Sequence, residues 1–207
     1  MIHEDNTRDR EAHAIIGGNQ QGKSSLINEL ITKGYDKRCE KIIVLNSTNP
    51  KPFQSYFFCS SPLQLKKKWN GIVRYHNSTG YKETLDDIYQ LCADGYLRKG
   101  AVVFDDCTKY IGFNPPQKIK DFLVDRAMYD LDLYFTTHAL AFFPAWCRRM
   151  VNTVTVFKTA ETFETSRELK ELGYPNYERI FAAWQQTMQT KSTKNFIQPH
   201  ITIATGV

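Results

Sequence analysis

Residues 17–24 read Gly-Gly-Asn-Gln-Gln-Gly-Lys-Ser, a complete G-x-x-x-x-G-K-S spacing. That pattern can hold a polyphosphate. Glycines let the backbone curl around phosphate oxygens with no Cβ in the way. The N–H groups of the loop, and the positive end of a helix that follows it, then face the anion. Lys23 is placed to reach the β- and γ-phosphates. The Ser24 hydroxyl is placed to ligate Mg²⁺, an ion that prefers oxygen donors. Gly17, Gly18, Asn19, Gln20, Gln21, Gly22, Lys23, Ser24 and Ser25 are therefore expected to bind ATP with Mg²⁺. A chance glycine-rich turn is the alternative, and the flanks argue against it: an apolar run precedes the loop and an amphipathic one follows.

A second constellation is Ala-Val-Val-Phe-Asp-Asp at 101–106. An apolar strand that ends in a carboxylate can hold the magnesium from its other side. Asp105 is assigned to the metal, and Asp106 to orienting or deprotonating the attacking water. A pair of aspartates capping the next turn is the alternative. A third is Tyr-Phe-Thr-Thr-His at 134–138. In an open α/β sheet, ligands sit at the carboxyl ends of the strands. Thr137 and His138 are thus candidates to touch the γ-phosphate or the water, although a lone strand-end histidine also serves as a packed structural residue.

Short β-type runs alternate with longer helical patterns around these residues. Strands are expected at 13–16, 41–46, 71–76, 101–104, 131–136 and 153–157, and helices at 22–33, 63–69, 81–99, 115–129, 161–172 and 176–186. Gly100 is read as the stop of the helix from Tyr81, the stretch 49–62 as irregular, and 196–204 as an added strand. Continuous apolar strands alternating with helices argue for a parallel sheet buried on both faces. The expectation is one α/β domain over 1–207. It is expected to be a three-layer αβα P-loop NTPase, RecA/ASCE-like, with a mostly parallel central sheet, a core at about 12–160, and C-terminal helices with a possible added strand at 161–207.

Composition sets bounds on this. The 207 residues are 42% hydrophobic and 24% charged, ordinary for a globular protein. The five cysteines, Cys39, Cys59, Cys92, Cys107 and Cys147, are odd in number and have no C-x-x-C spacing. A disulfide framework or zinc site is not expected, and a reducing interior is. No apolar run approaches the roughly 18 residues that span a bilayer, and the polar start is not a signal peptide. A soluble, intracellular protein is expected. The net charge of +5 is compatible with a polyanionic partner and equally with a solvated surface.

The three constellations together resemble the FtsK–HerA superfamily of ATP-driven DNA pumps, in particular the genome-packaging ATPases of icosahedral viruses with an internal membrane. Phosphate loop, carboxylate strand and polar sensor strand recur there in this order. The resemblance spans about 12–160 and implies an ATPase that packages double-stranded DNA. It implies a homo-oligomeric ring, pentamer or hexamer, docked to a capsid vertex or membrane protein, in the host cytoplasm or with the virion. It also implies an arginine before the sensor strand that acts on the neighbouring subunit's nucleotide. Arg126 stands there, and a helix-end cation is its other reading. Arg148 and Arg149 are a reserve for that role. This chain departs from the pattern in two places: Asp106 stands where Glu is usual, and His138 where the sensor is often Gln.

For DNA, the cluster Lys66, Lys67, Lys68 and Trp69 offers phosphate contacts and a stacking ring, or else an exposed helical face with Trp69 in the core. Lys191, Lys194 and His200 are a second candidate. Neither has a motif that reads base sequence. A nucleoside or nucleotide kinase is the competing function, but no arginine-dense lid is present beyond Arg148 and Arg149. A GTP switch is disfavoured by the lack of N-K-x-D.

Overall fold

The structure is a computed structural model that describes residues 10–34, 40–46, 51–67, 69–112, 114–193 and 197–205. Cys39, Lys68, Lys194 and Phe196 lie outside the described residues. One eight-stranded sheet carries the fold, in the order β3-β4-β2-β5-β6-β1-β7-β8. Its strands are β1 (Ala12–Ile16), β2 (Lys41–Leu45), β3 (Phe57–Cys59), β4 (Gly71–Tyr75), β5 (Gly100–Phe104), β6 (Leu131–Thr137), β7 (Thr153–Val156) and β8 (Ile201–Ala204). Every pairing is parallel except β7 with β8. All the parallel strands thus present their carboxyl ends on one side.

Alternation along the strands makes two cores. On one face Ile15, Val44 and Val103 pack against Ile27 and Ile31 of α1 (Lys23–Gly34) and against Phe53. On the other face Ile16, Ile43, Phe104 and Phe135 meet Ile88 of α3 (Tyr81–Ala93), Phe122 of α4 (Gln117–Val124), Leu169 of α6 (Ser166–Glu171) and Trp184 of α7 (Tyr177–Gln189). Two short helices, α2 (Pro62–Leu65) and α5 (Ala145–Arg148), complete the set. The three-layer αβα architecture with a mostly parallel sheet is as expected.

The differences from the sequence reading have local causes. Helix α3 stops at Ala93 and not near Gly100, because Gly95 adopts φ 78°. Tyr96 N then donates to Leu91 O at 2.8 Å and Gly95 N to Cys92 O at 3.0 Å, the reciprocal pair of a Schellman cap. Helix α4 ends at Val124 and runs into a 3₁₀ turn at Asp125–Ala127. Helix α6 starts only after Thr165, whose N–H is held by Glu168 Oε1 at 3.0 Å in a capping box. Within 49–62, read as irregular, the short edge strand β3 forms on β4. The helix expected over 63–69 has only its first part, as α2; its N-cap is Ser61, and the lysines lie beyond it.

Candidate active site

The order of the sheet sets the geometry of the cleft. β6 lies between β1, which leads into the phosphate loop, and β5, which ends at the acid pair. The loop, the acids and the end of β6 therefore meet at the carboxyl ends of three adjacent strands. The cleft between them measures ≈310 Å³ and is lined by residues 19–25, Asn46, Asp105, Asp106, Lys109, Thr136 and His138 among others.

Two glycines of the loop are required for different reasons. A Cβ on Gly17 would lie 2.4 Å from Cβ of Phe157, so Gly17 lets β1 approach the end of β7. Gly22 has φ 88°, which L side chains rarely adopt. The loop is tied on three sides. Gly17 N donates to Thr137 O at 3.1 Å, Gly18 N to Lys158 O at 2.7 Å, and Gln198 N to Gln21 O at 3.0 Å. Lys23 is buried, and its ammonium folds back onto Gly17 O at 2.6 Å and Gly18 O at 2.7 Å. Burial pulls its pKa down to about 8, against the upward pull of Asp105 and Asp106.

Asp105 sits at the base of the cleft. Its Oδ1 accepts from Ser24 Oγ at 3.3 Å and from Thr136 Oγ1 at 3.2 Å, and its Oδ2 accepts from Asn46 Nδ2. Burial pushes this carboxyl above its usual range. A buried carboxylate beside a serine hydroxyl is an all-oxygen donor set that fits Mg²⁺. Ser24 and Asp105 are the residues that would hold the ion, and it would supply positive charge to a bound polyphosphate.

Asp106 has a left-handed backbone, φ 63°, stabilised by its N–H donating to Thr136 Oγ1 at 2.7 Å. Its Oδ1 accepts from Thr108 Oγ1 at 2.9 Å, and its Oδ2 pairs with Lys109 Nζ at 3.0 Å. Burial raises this carboxyl, but the Lys109 and Thr108 hydrogen bonds and the Lys109 and His138 charges outweigh it and hold the group below its usual range. His138 completes the rim, with Nε2 3.8 Å from Asp106 Oδ2 and Nδ1 3.5 Å from Lys23 Nζ. Leu140 N and Ala141 N, just past it, both donate to the Glu161 carboxylate at 2.7 Å.

The cleft thus gathers Lys23, Ser24, Asp105, Asp106 and His138, as the sequence suggested. Thr137 does not join them. Successive strand residues face opposite ways, so it is the Thr136 hydroxyl that enters the cleft, while Thr137 Oγ1 is buried without a partner. Asn46, Thr136 and Lys109 were not singled out from the sequence. For Asn46 and Thr136 the signal existed, a polar residue at the end of an apolar strand. For Lys109 it did not, because only the turn after Asp106 brings it back.

Arg126 is outside the cleft. It precedes β6, whereas the cleft lies at the far end of that strand, about 20 Å away at ~3.3 Å per residue. Its guanidinium lies at 3.4 Å from Leu123 O, Met150 O and Asn152 Oδ1, and its Nε is buried without a partner. Val124 and Met128 beside it are 57% and 72% exposed. Arg148 is buried and holds Leu172 O and, at 2.8 Å, Ala141 O, while stacking on Tyr174. It is a structural residue, which removes it from the reserve. Arg149 is exposed. Trp69 is anchored by its indole N–H on Leu65 O at 2.9 Å and packs on the core, and Lys66 pairs with Asp94 at 3.2 Å. His200 packs at a tilt against Phe157, with ring centroids 4.7 Å apart, near the phosphate loop.

The sheet order and this cleft define a P-loop NTPase fold in which an extra strand separates the phosphate loop from the acid strand. Solved structures share it. The genome packaging NTPase B204 of Sulfolobus turreted icosahedral virus 2 in complex with AMPPCP superposes with a TM-score of 0.66 at 15% identity, over 88% of each chain. The same protein in complex with sulfate gives 0.67 at 14% identity, over 94% of this chain and 96% of that one. B204, the DNA-packaging ATPase of Sulfolobus turreted icosahedral virus, gives 0.64 at 15%, over 87% of this chain and 88% of that one. No protein-family model and no curated protein matches the chain. The likeness is one of fold. No helix among the described residues is long and apolar enough to cross a membrane.

Proposed function

We propose that this protein is a Mg²⁺-dependent ATPase that works as an oligomeric motor packaging viral double-stranded DNA. The observation that carries the reading is the bridge from Ser24 Oγ to Asp105 Oδ1 at 3.3 Å, which joins the phosphate loop to the acid strand at one point. ATP binds with its phosphates in the loop, held by the backbone N–H groups and Lys23. Water attacks the γ-phosphate in line, the bond to the β-phosphate oxygen breaks, and ADP and phosphate leave. Asp106 orients the water and takes its proton, and His138 contacts the water or the γ-phosphate.

Arg126 acts on the neighbouring subunit's nucleotide. Its place at the opposite end of β6 rules it out for its own cleft, and the exposed Val124 and Met128 beside it support a surface that a second copy covers. The packaging role rests on fold likeness to the B204 proteins and on the order of the motifs. The kinase reading keeps only Arg149 of its two lid arginines, since Arg148 is committed to backbone carbonyls.

The test is steady-state ATP hydrolysis against protein concentration, with and without double-stranded DNA. The expected result is turnover that rises steeply with concentration and with DNA. Turnover indifferent to both would overturn the motor, and phosphate transfer to nucleosides or their monophosphates would establish the kinase. Arg126→Ala should lose turnover and keep ATP binding, and mixing it with Lys23→Ala subunits should restore part of the activity.

A further inference from the structure

A second lysine faces the cleft. Lys109 lies on the 3₁₀ turn Cys107–Lys109, directly after the acid pair. That turn swings its Nζ back to 3.0 Å from Asp106 Oδ2. The left-handed backbone at Asp106 and its N–H bond to Thr136 Oγ1 fix where the turn starts, so the position of Lys109 is built into the end of β5. The Lys109 and Asp106 side chains retain 37% and 20% of their exposure. The pair is partly open to the cleft, so an anion of higher charge entering there can compete for the lysine. Lys23 and His138 line the same cleft from its other walls.

We propose that Lys109 is a second phosphate-binding cation of this cleft, which pairs with Asp106 in the absence of nucleotide and transfers to the terminal phosphate of a bound triphosphate. This deepens the ATPase reading and rests on it. A terminal phosphate carries more charge than one carboxylate and offers three acceptor oxygens, so it competes for the ammonium now paired with Asp106. The exchange leaves Asp106 with Thr108 and with the histidine 3.8 Å away. With Lys109 at the third phosphate, its loss should weaken a triphosphate and spare a diphosphate.

The test is equilibrium binding with Mg²⁺ of AMPPCP and of ADP to wild type, Lys109→Met, Lys109→Arg, Asp106→Asn and the double variant. Lys109→Met is expected to weaken the analogue tenfold or more and ADP less than twofold, and Lys109→Arg to keep the wild-type ratio. Asp106→Asn frees the lysine and is expected to tighten the analogue several-fold. In the double variant that gain disappears, whereas relief of simple repulsion between Asp106 and phosphate would persist. An unchanged ratio of the two affinities in Lys109→Met, or a gain that survives in the double variant, overturns the proposal. Wild-type protein that binds neither nucleotide overturns the ATPase reading and this proposal with it.

Discussion

Thr136 binds both acids through a single atom. Its Oγ1 donates to Asp105 Oδ1 at 3.2 Å and accepts the N–H of Asp106 at 2.7 Å. One hydroxyl on β6 therefore sets the separation and orientation of the two carboxylates. Thr136→Val keeps the shape and removes both bonds. With a cost of about 2 kcal/mol for groups left without partners, the melting temperature should fall by about 4–8 °C. ATP turnover should drop more than tenfold, and Thr136→Ser should recover most of it. Wild-type turnover in Thr136→Val would contradict this role.

Lys23 predicts a pH dependence of binding. Its pKa in the folded protein is about 8, against an ordinary 10.5. Phosphates favour the ammonium, so above pH 8 binding must draw a proton from solution. Affinity should be flat below that pH and fall above it, by up to about tenfold per unit. Calorimetry in buffers of different ionisation enthalpy should give proton uptake near zero at pH ~6.5 and approaching ~1 at pH ~9. The sign for stability is opposite. Between about 8 and 10.5 the unfolded lysine binds more protons than the folded one, so this group's contribution to stability rises with pH.

Gly17→Ala should destabilise by about 1–3 kcal/mol, as overpacking does. The added Cβ would meet Cβ of Phe157 at 2.4 Å, and every side chain but glycine has that atom. Combining Gly17→Ala with Phe157→Ala should therefore not rescue it. Rescue in a thermal melt would show that the ring, not the close approach of β1 and β7, sets the limit.

Arg148→Met should lower stability by about 2–3 kcal/mol, because two carbonyls lose a buried charged donor. Any loss of turnover should not recover on mixing with Lys23→Ala subunits. Recovery would return Arg148 to the role given to Arg126.

Much of this was legible in the sequence, and the reason differs from residue to residue. The phosphate loop is local: spacing alone places Gly22, Lys23 and Ser24. The β5 strand was readable because it is apolar until it ends in polar residues, and β6 because Leu133, Tyr134 and Phe135 run apolar before its polar end, despite Asp132 near its start. Asp105 and His138 followed from that. Thr137 was misread for Thr136 because a strand's sidedness is fixed by its neighbours in the sheet, not by its own composition. Lys109 was invisible because a turn with left-handed backbone at an aspartate leaves no mark in residue type. The early end of α3 was available in principle, since Gly95 precedes Gly100 as a helix stop. The strand β3 was not, because three residues on an edge have too little pattern to read.

The bond from Gln198 to Gln21 has a kinetic meaning. It joins a residue near the start of the chain to one near position 200, and Gly18 likewise leans on Lys158. Contacts of such sequence separation form late, since loop closure precedes them. The phosphate loop precedes both of these partners in the chain, yet it reaches its final shape only after β7 and the segment before β8 have folded. A chain part-way through synthesis carries the motif without the cleft, and competence to bind nucleotide then reports that the whole sheet has closed.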